Sequence, residues 1–337
     1  MRLRIPVASM DEKAHIPVLL AETLGALALR EGETYVDATA GLGGHAAAAA
    51  AMAGPAGRVI LNDLDPGNLA RAADRVSAAA GAPVVASIRG SFADLPMALI
   101  RRGMLADAVL ADLGFSSSQM DDPARGFSIR SDGPLDMRLD PGGPVTASEL
   151  VHTLPEAELR RIFREYGEEP AAGRIARRIV ERRRERPIER TGELAELVRE
   201  AIGPARPPGR SGSRRSSIDP ATRAFQALRI AVNDELASLR SLLGQVERAA
   251  EAARDGGNRS AERSVSSGSW LSEGARVAVI SFHSLEDRMV KRSFAGLVRS
   301  GLATAVTDGA VVAGEDEVRQ NPRSRSARLR AIQLGGG

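Results

Sequence analysis

The 337-residue chain contains no cysteine. That absence excludes disulfide frameworks, thiolate zinc sites, iron–sulfur clusters and a cysteine nucleophile. Histidine is scarce too: His15, His45, His152 and His283 are too scattered to form a local metal motif, and no metal is expected. Seven Phe, two Tyr and one Trp leave the chain 3% aromatic, too poor for a surface that stacks a run of bases. Only two of the 46 basic residues are lysines, Lys13 and Lys291; the rest are arginines. No stretch approaches the roughly 20 apolar residues of a membrane span. Asp11, Glu12 and Lys13 interrupt the N-terminal segment before an apolar signal core develops. A cytoplasmic protein with no membrane partner is the expectation.

With 43% hydrophobic and 26% charged residues, the chain can bury a core of ordinary size, as one large domain or two smaller ones. Its net charge of +3 is unevenly placed. Residues 171–190, 203–217 and 318–330 together carry +14, leaving −11 on the remainder. A body of modest charge with concentrated basic segments suits a polyanionic partner, although solvated arginine-rich helices would read the same way.

Strands alternate with helices in the first half. Thr34–Ala38 is a short β-rich run followed by the glycine turn Gly41-Leu42-Gly43-Gly44 and a helix over Ala46–Ala53. Arg58–Asn62 is a second strand ending at Asp63, a helix over 66–80 leads to a third at Val84–Ile88, and Asp107–Ala111 is a fourth ending at Asp112. This succession predicts a parallel sheet with right-handed crossovers. The next clear strand is Arg276–Ser281, and the long interval before it is mainly helical. Ile175, Ala176, Ile179 and Val180 share one helical face, and Thr191 is placed to cap a following helix. Roughly residues 124–218 form a helical insertion, dividing the chain into 1–123, 124–218 and 219–337, with flexible loops at 203–217 and 252–269. Asp219-Pro220 opens another helix with an apolar stripe from Phe225 to Val246, while Thr222, Gln226, Arg229 and Asn233 form a polar row that could line a site.

In a doubly wound sheet, ligands bind beyond the carboxyl ends of the strands, near the point where strand order reverses. Gly41–His45, Asp63, Phe92, Asp112 and Ser281–Asp287 occupy those ends. Asp63 follows Gly43 by 20 residues, the spacing at which a carboxylate accepts both hydroxyl hydrogens of an adenosine ribose. The pattern fits either NAD(P) or S-adenosylmethionine, and Asp65 before Pro66 reads as a turn or cap. After the fourth strand comes Asp112-Leu113-Gly114-Phe115-Ser116-Ser117-Ser118-Gln119, small and polar. Aromatic exocyclic amines are poor nucleophiles, because the lone pair is delocalised into the ring. Acceptors for their hydrogens favour a pyramidal nitrogen that can attack a sulfonium methyl. On local sequence alone, a serine-rich turn is the simpler reading.

These blocks resemble those of the bacterial 16S ribosomal RNA cytosine-N4 methyltransferases, the ribosomal RNA small subunit methyltransferase H family. The resemblance runs through His15–Leu20, Asp37–His45, Asp112–Ser128, Gly133–Arg138, Tyr166–Glu169, Pro220–Leu236, Ile280–Arg288 and Asn321–Arg330. It implies an α/β class I methyltransferase, Rossmann-like and doubly wound, with a mostly parallel seven-stranded sheet and an inserted all-helical substrate-recognition domain. The implied reaction is direct methyl transfer from S-adenosyl-L-methionine to N4 of a cytosine in the decoding region, the P site, of 16S rRNA within the 30S subunit. By motif position, Gly43, Gly44, His45, Asp63, Phe92, Asp112 and Gln119 bind the cofactor. His45, Phe92 and Gln119 enter through the resemblance alone. Asp112, Ser116, Ser117 and His283 are the catalytic candidates, and Glu286 and Asp287 either join them or cap the next helix. Arg174, Arg177, Arg178, Arg323, Arg325 and Arg328 are assigned to phosphates. Leu64, Ser118, Ala46 and Asp219 depart from the family's usual residues without removing a group the chemistry needs. A DNA aminomethyltransferase, an NAD(P) dehydrogenase and a noncatalytic ribosome-assembly factor are the alternatives.

Overall fold

The computed structural model describes residues 17–79, 84–203, 219–255 and 269–335. His15 and Ile16 of the first motif, and most of the stretches 203–217 and 252–269, lie outside the described residues. The chain divides into two compact units, Met1–Gly114 with Arg240–Gly337, and Phe115–Leu239.

The first unit is built on Thr34–Asp37 (β1), Arg58–Asp63 (β2), Val84–Arg89 (β3) and Ala106–Asp112 (β4). Between them run helices Gly44–Ala53 (α2), Pro66–Ser77 (α3) and Leu95–Arg101 (α4), with Leu20–Leu27 (α1) preceding the sheet. Leu271–Ser281 (β5) pairs parallel to β4, and its pairing partner Arg328–Leu334 (β8) runs antiparallel to it. The order is β3-β2-β1-β4-β5-β8, then Ala303–Ala305 (β6). Strand order reverses between β1 and β4, which is where such sheets bind ligands. To the seven expected strands the structure adds an eighth, the two-residue Val311–Val312 (β7) on β8.

Local chemistry accounts for the elements. The Asp65 carboxylate accepts the N–H groups of Gly67 (2.9 Å) and Asn68 (3.4 Å), and Pro66 fills the first turn, so α3 starts there. Its buried residues Leu69, Ala72 and Val76 form one stripe. Tyr35, Leu61, Leu110, Ala278 and Ile280 pack with α1–α3 on one face of the sheet, while the intervening Val36, Ile60, Val109 and Val279 are buried as well. Burial on both faces is the rule for parallel strands, so these read as continuous apolar runs. Helix Ser284–Arg299 (α12) packs against β5, β6 and β8, and the short helix Glu315–Gln320 (α13) precedes β8.

The second unit is helical: Ser117–Asp121 (α5), Ala147–Thr153 (α6), Glu156–Glu165 (α7), Ala172–Glu185 (α8), Thr191–Ile202 (α9) and Thr222–Asn233 (α10). Helix Glu235–Asp255 (α11) follows α10 in the chain and precedes β5. Phe163, Ile175, Ile179, Leu194, Val198 and Leu228 centre the core of this unit. One local expectation is corrected. Thr191 does not cap α9: it is already helical, and its hydroxyl accepts the Gly133 N–H at 3.0 Å. Three of the four residues in the polar row of α10 are engaged within the unit. Gln226 donates to the Tyr166 carbonyl, Arg229 pairs with Glu235, and Asn233 clamps the backbone of Met137 and Leu139. Buried backbone in the 133–139 segment needs these partners because it lacks a strand or helix of its own. Among the described residues, no helix is long and apolar enough to cross a membrane.

Candidate active site

Three adjacent parallel strands, β2, β1 and β4, each end in an aspartate: Asp63, Asp37 and Asp112. Asp37 pairs in register with Leu61 on one side and Leu110 on the other. Side chains two residues apart on a strand share a face, so Asp63 and Asp112 point to the same face as Asp37, the one covered by α1–α3. The glycine-to-acid spacing and the polar segment after β4 single out Asp63 and Asp112 but not Asp37, because the β-rich run reads on to Ala38 and only the structure ends the strand at Asp37.

Each carboxylate has a distinct setting. Asp37 is 2% exposed; its Oδ2 accepts the Tyr35 hydroxyl (3.2 Å) and its Oδ1 the Thr39 N–H (3.2 Å). Burial pushes its pKa up to about 7, and the neighbouring charge of Asp63 adds to the rise. Asp63 accepts the N–H of Gly41 through Oδ2 and of Asp65 through Oδ1, both at 2.8 Å. Burial raises its pKa while those amides pull it down. Asp112 is held well above the usual carboxylate range by burial first, then by the charges of Asp37 and Glu286. Its Oδ2 lies 3.7 Å from Nδ1 of His45, and its Oδ1 has no hydrogen-bond partner among the described residues.

The glycine turn joins these groups. Gly43 has φ +74° and a Cβ there would stand 2.7 Å from Cα of Ala72; a Cβ on Gly44 would stand 2.3 Å from Cγ of Pro17. Both glycines are thus demanded by packing inside the protein. Gly41 differs: nothing lies closer to its Cβ position than the Thr39 carbonyl at 3.9 Å, so the backbone is open there to a ligand. His45 is buried in α2, and its Nε2 is 3.0 Å from the Val18 carbonyl. Phe92 lies half-buried just after β3.

Beyond β5, His283 and Glu286 form a reciprocal cap on α12. Glu286 accepts the N–H of Phe282 (2.9 Å) and of His283 (3.3 Å), and Asp287 pairs with Arg330 at 2.8 Å. Ser116 and Gln119 likewise cap α5 reciprocally, with Ser116 N–H donating to Gln119 Oε1 at 2.9 Å and Gln119 buried. Ser117 opens α5. Of the arginines assigned to phosphates, Arg178 is engaged with Glu181 and Glu200, while Arg325 and Arg328 are exposed, Arg328 pairing in register with Ser281 at the end of β5.

A cluster of strand-end carboxylates whose ionisation is opposed by burial is suited to a ligand that brings positive charge. The unpartnered Oδ1 of Asp112 and the open backbone at Gly41 fit a cationic nucleoside donor. Among curated proteins, the chain is 45% identical to the ribosomal RNA small subunit methyltransferase H of Symbiobacterium thermophilum, covering 94% of this chain and 96% of that protein. It is 44% identical to the protein of that name from Syntrophobacter fumaroxidans, over 96% and 97% of the two chains. Among solved structures, a putative rRNA-methylase from Clostridium thermocellum aligns over 95% of this chain and 100% of that chain, at 12% identity and a TM-score of 0.42. The sequence profile of the MraW methylase family matches residues 12–334. Strand-end acids, glycine turn and near full-length match thus converge: the chain belongs to the MraW methylase family and uses S-adenosyl-L-methionine as its cofactor.

Proposed function

We propose that the protein methylates N4 of a cytosine in the decoding region of 16S rRNA, within the 30S subunit, by direct transfer without a covalent enzyme intermediate. The names of its relatives support the small-subunit rRNA substrate, and the Asp112–Met120 segment supports the exocyclic amine. When bound, S-adenosyl-L-methionine supplies an electrophilic methyl and a positive charge.

The chain's own residues do the rest by positioning and electrostatics. Asp63, fixed by two backbone amides, accepts ribose hydroxyl hydrogens with its remaining lone pairs. Gly41, Gly43 and Gly44 shape the turn beside the donor, His45 orients Asp112 from α2, and Phe92 flanks the adenine. Asp112 carries its negative charge best next to a cation, and its Oδ1 then accepts a hydrogen from the target amine, turning the nitrogen lone pair toward the methyl. His283, anchored by its cap, contacts the target base. The base reaches these groups by leaving its stack.

The unpartnered Asp112 Oδ1 at the strand-order reversal carries this reading. The test is incubation with radiolabelled S-adenosyl-L-methionine and unmethylated 30S subunits, naked rRNA or DNA, followed by nucleoside analysis. Label in N4-methylated cytidine from 30S subunits is expected. Label in DNA marks a DNA aminomethyltransferase, and subunit binding without label marks an assembly factor; either outcome overturns the proposal.

A further inference from the structure

Helices α7 and α8 are rich in arginine, and their ion pairs and hydrogen bonds sort those arginines into two sets. Arg161 is held by Glu158 and Glu165, Arg178 by Glu181 and Glu200, Arg182 by Glu185 and Glu193, and Arg186 by Glu193. Arg183 donates to the carbonyls of Val151 (2.6 Å) and Leu154 (2.8 Å) at the end of α6. These charges are already satisfied within the unit.

Within α7 and α8, Arg160, Arg164, Arg174, Arg177 and Arg184 form the other set. They are exposed, and their side chains make no ion pair or hydrogen bond with the described residues. Their positions are ordered. Arg160 and Arg164 are four apart on α7 and so share one face. On α8, Gly173, Arg177 and Arg184 fall at spacings of four and seven, again one face. The two rows meet, because α7 packs on α8 and Cδ of Arg160 comes within 3.7 Å of the Cβ position of Gly173. Glycine at 173 leaves that seam shallow. The one acid in the α8 row, Glu181, is turned to Arg178 at 3.7 Å. From Arg177 to Arg184 the row runs about 10 Å along the helix, enough for successive groups of an extended polyanion.

We propose that the α7–α8 seam, lined by Arg160, Arg164, Arg177 and Arg184, is a docking surface for the phosphodiester backbone of the RNA substrate. This rests on the reading that RNA is the substrate, and it narrows the arginines that serve it. Guanidinium groups without internal partners give up no ion pair on binding, and each phosphate they neutralise releases counterions. Such interactions position RNA without reading its sequence.

The test is filter binding of a labelled 16S rRNA fragment at several salt concentrations. It compares the wild type with Arg160→Gln/Arg164→Gln/Arg177→Gln/Arg184→Gln and with the control Arg178→Gln/Arg182→Gln/Arg186→Gln. The seam variant is expected to bind roughly tenfold or more weakly at low salt, with a slope of log affinity against log salt shallower by about 0.7 for each single-strand phosphate that is no longer neutralised. Its melting temperature and its affinity for S-adenosyl-L-methionine should match the wild type. Should the fourfold variant melt early, Arg164→Gln/Arg177→Gln reads the same slope at about half the change. Unchanged affinity and slope, or an equal loss in the control, overturns the proposal. Polyglutamate competing as well as RNA of equal charge also overturns it, in favour of an acidic protein partner. Binding is read separately from methyl transfer, so a wild type that binds RNA but labels no cytosine counts against the proposed reaction and not against the seam.

Discussion

The Thr39 hydroxyl accepts the backbone N–H of Asp112 at 2.7 Å, tying the turn after β1 to the last residue of β4. Thr39 in turn donates its own N–H to Asp37, so one short chain of bonds runs from Asp37 to Asp112 across the strand-order reversal. Thr39→Val removes the acceptor while keeping the shape. It should cost about 1–3 kcal/mol, the usual penalty for an orphaned donor away from water. Thr39→Ser should restore most of that. Urea denaturation checks both, and a valine variant as stable as the wild type would reject the role.

Gly43 and Gly41 both have positive φ, +74° and +51°, but only Gly43 is also hemmed in. Gly41→Ala should therefore add only conformational strain, about 1–2 kcal/mol. Gly43→Ala adds a Cβ 2.7 Å from Ala72 Cα and 3.0 Å from its carbonyl oxygen, so α2 and α3 must move apart. Thermal melting should show a clearly larger drop for Gly43→Ala; equal drops contradict the packing account.

Asp63→Ala should weaken S-adenosyl-L-methionine binding by roughly 10- to 100-fold, the loss of a charge-assisted hydrogen bond of about 1.5–3 kcal/mol. The same change frees the amides of Gly41 and Asp65, so the turn loses its anchor as well. Calorimetry reads the affinity directly, and an unchanged constant rules out Asp63 as a ligand.

Stability should depend on pH in two opposite windows. Asp37 titrates near 7 when folded, above its ordinary value of 3.8, because it is buried. Between those values the folded protein holds a proton that the unfolded chain has released, so stability falls as pH rises through this range. Asp37→Asn should flatten that slope. Glu33 behaves the other way: its pKa is lowered, burial being outweighed by bonds to Arg276 and the Arg30 amide. Its contribution is present above the unfolded value of 4.5 and fades as pH falls below it. Denaturant midpoints measured from about pH 2 to 8 check both signs.

Arg276 is 7% exposed on β5, where Nη1 meets Glu33 at 2.9 Å and Nε meets the Leu27 carbonyl at 2.7 Å. Glu33→Gln leaves a buried guanidinium without its counter-charge and should cost about 3–5 kcal/mol. Chemical denaturation measures it; a loss under about 1 kcal/mol would show that the carbonyls alone suffice.

Local pattern alone sufficed for much of the fold. β-rich runs ending in acids, the glycine turn and the Asp65-Pro66 start were legible because hydrophobic periodicity, capping and turn chemistry act over a few residues. Strand limits were less so: β5 begins at Leu271 rather than Arg276, since pairing with β4 recruits residues of weak strand character. Helical spacing from Phe225 to Asp234 could not show that Asn233 clamps Met137 and Leu139, partners almost a hundred positions away.

The same division holds at the site. The one-dimensional pattern was enough to place Asp63 and Asp112 at strand ends and to assign the chain to a methylase family, because both follow from residue type and order. Only the folded sheet brought Asp37 between them, buried it beside Tyr35, and left Asp112 Oδ1 without a partner among the described residues. Only packed helices separated the arginines with carboxylate partners from those without. Register, burial and ion pairing are relations between distant segments, and a side chain's charge and reach acquire their energies from neighbours that adjacency in the chain does not name.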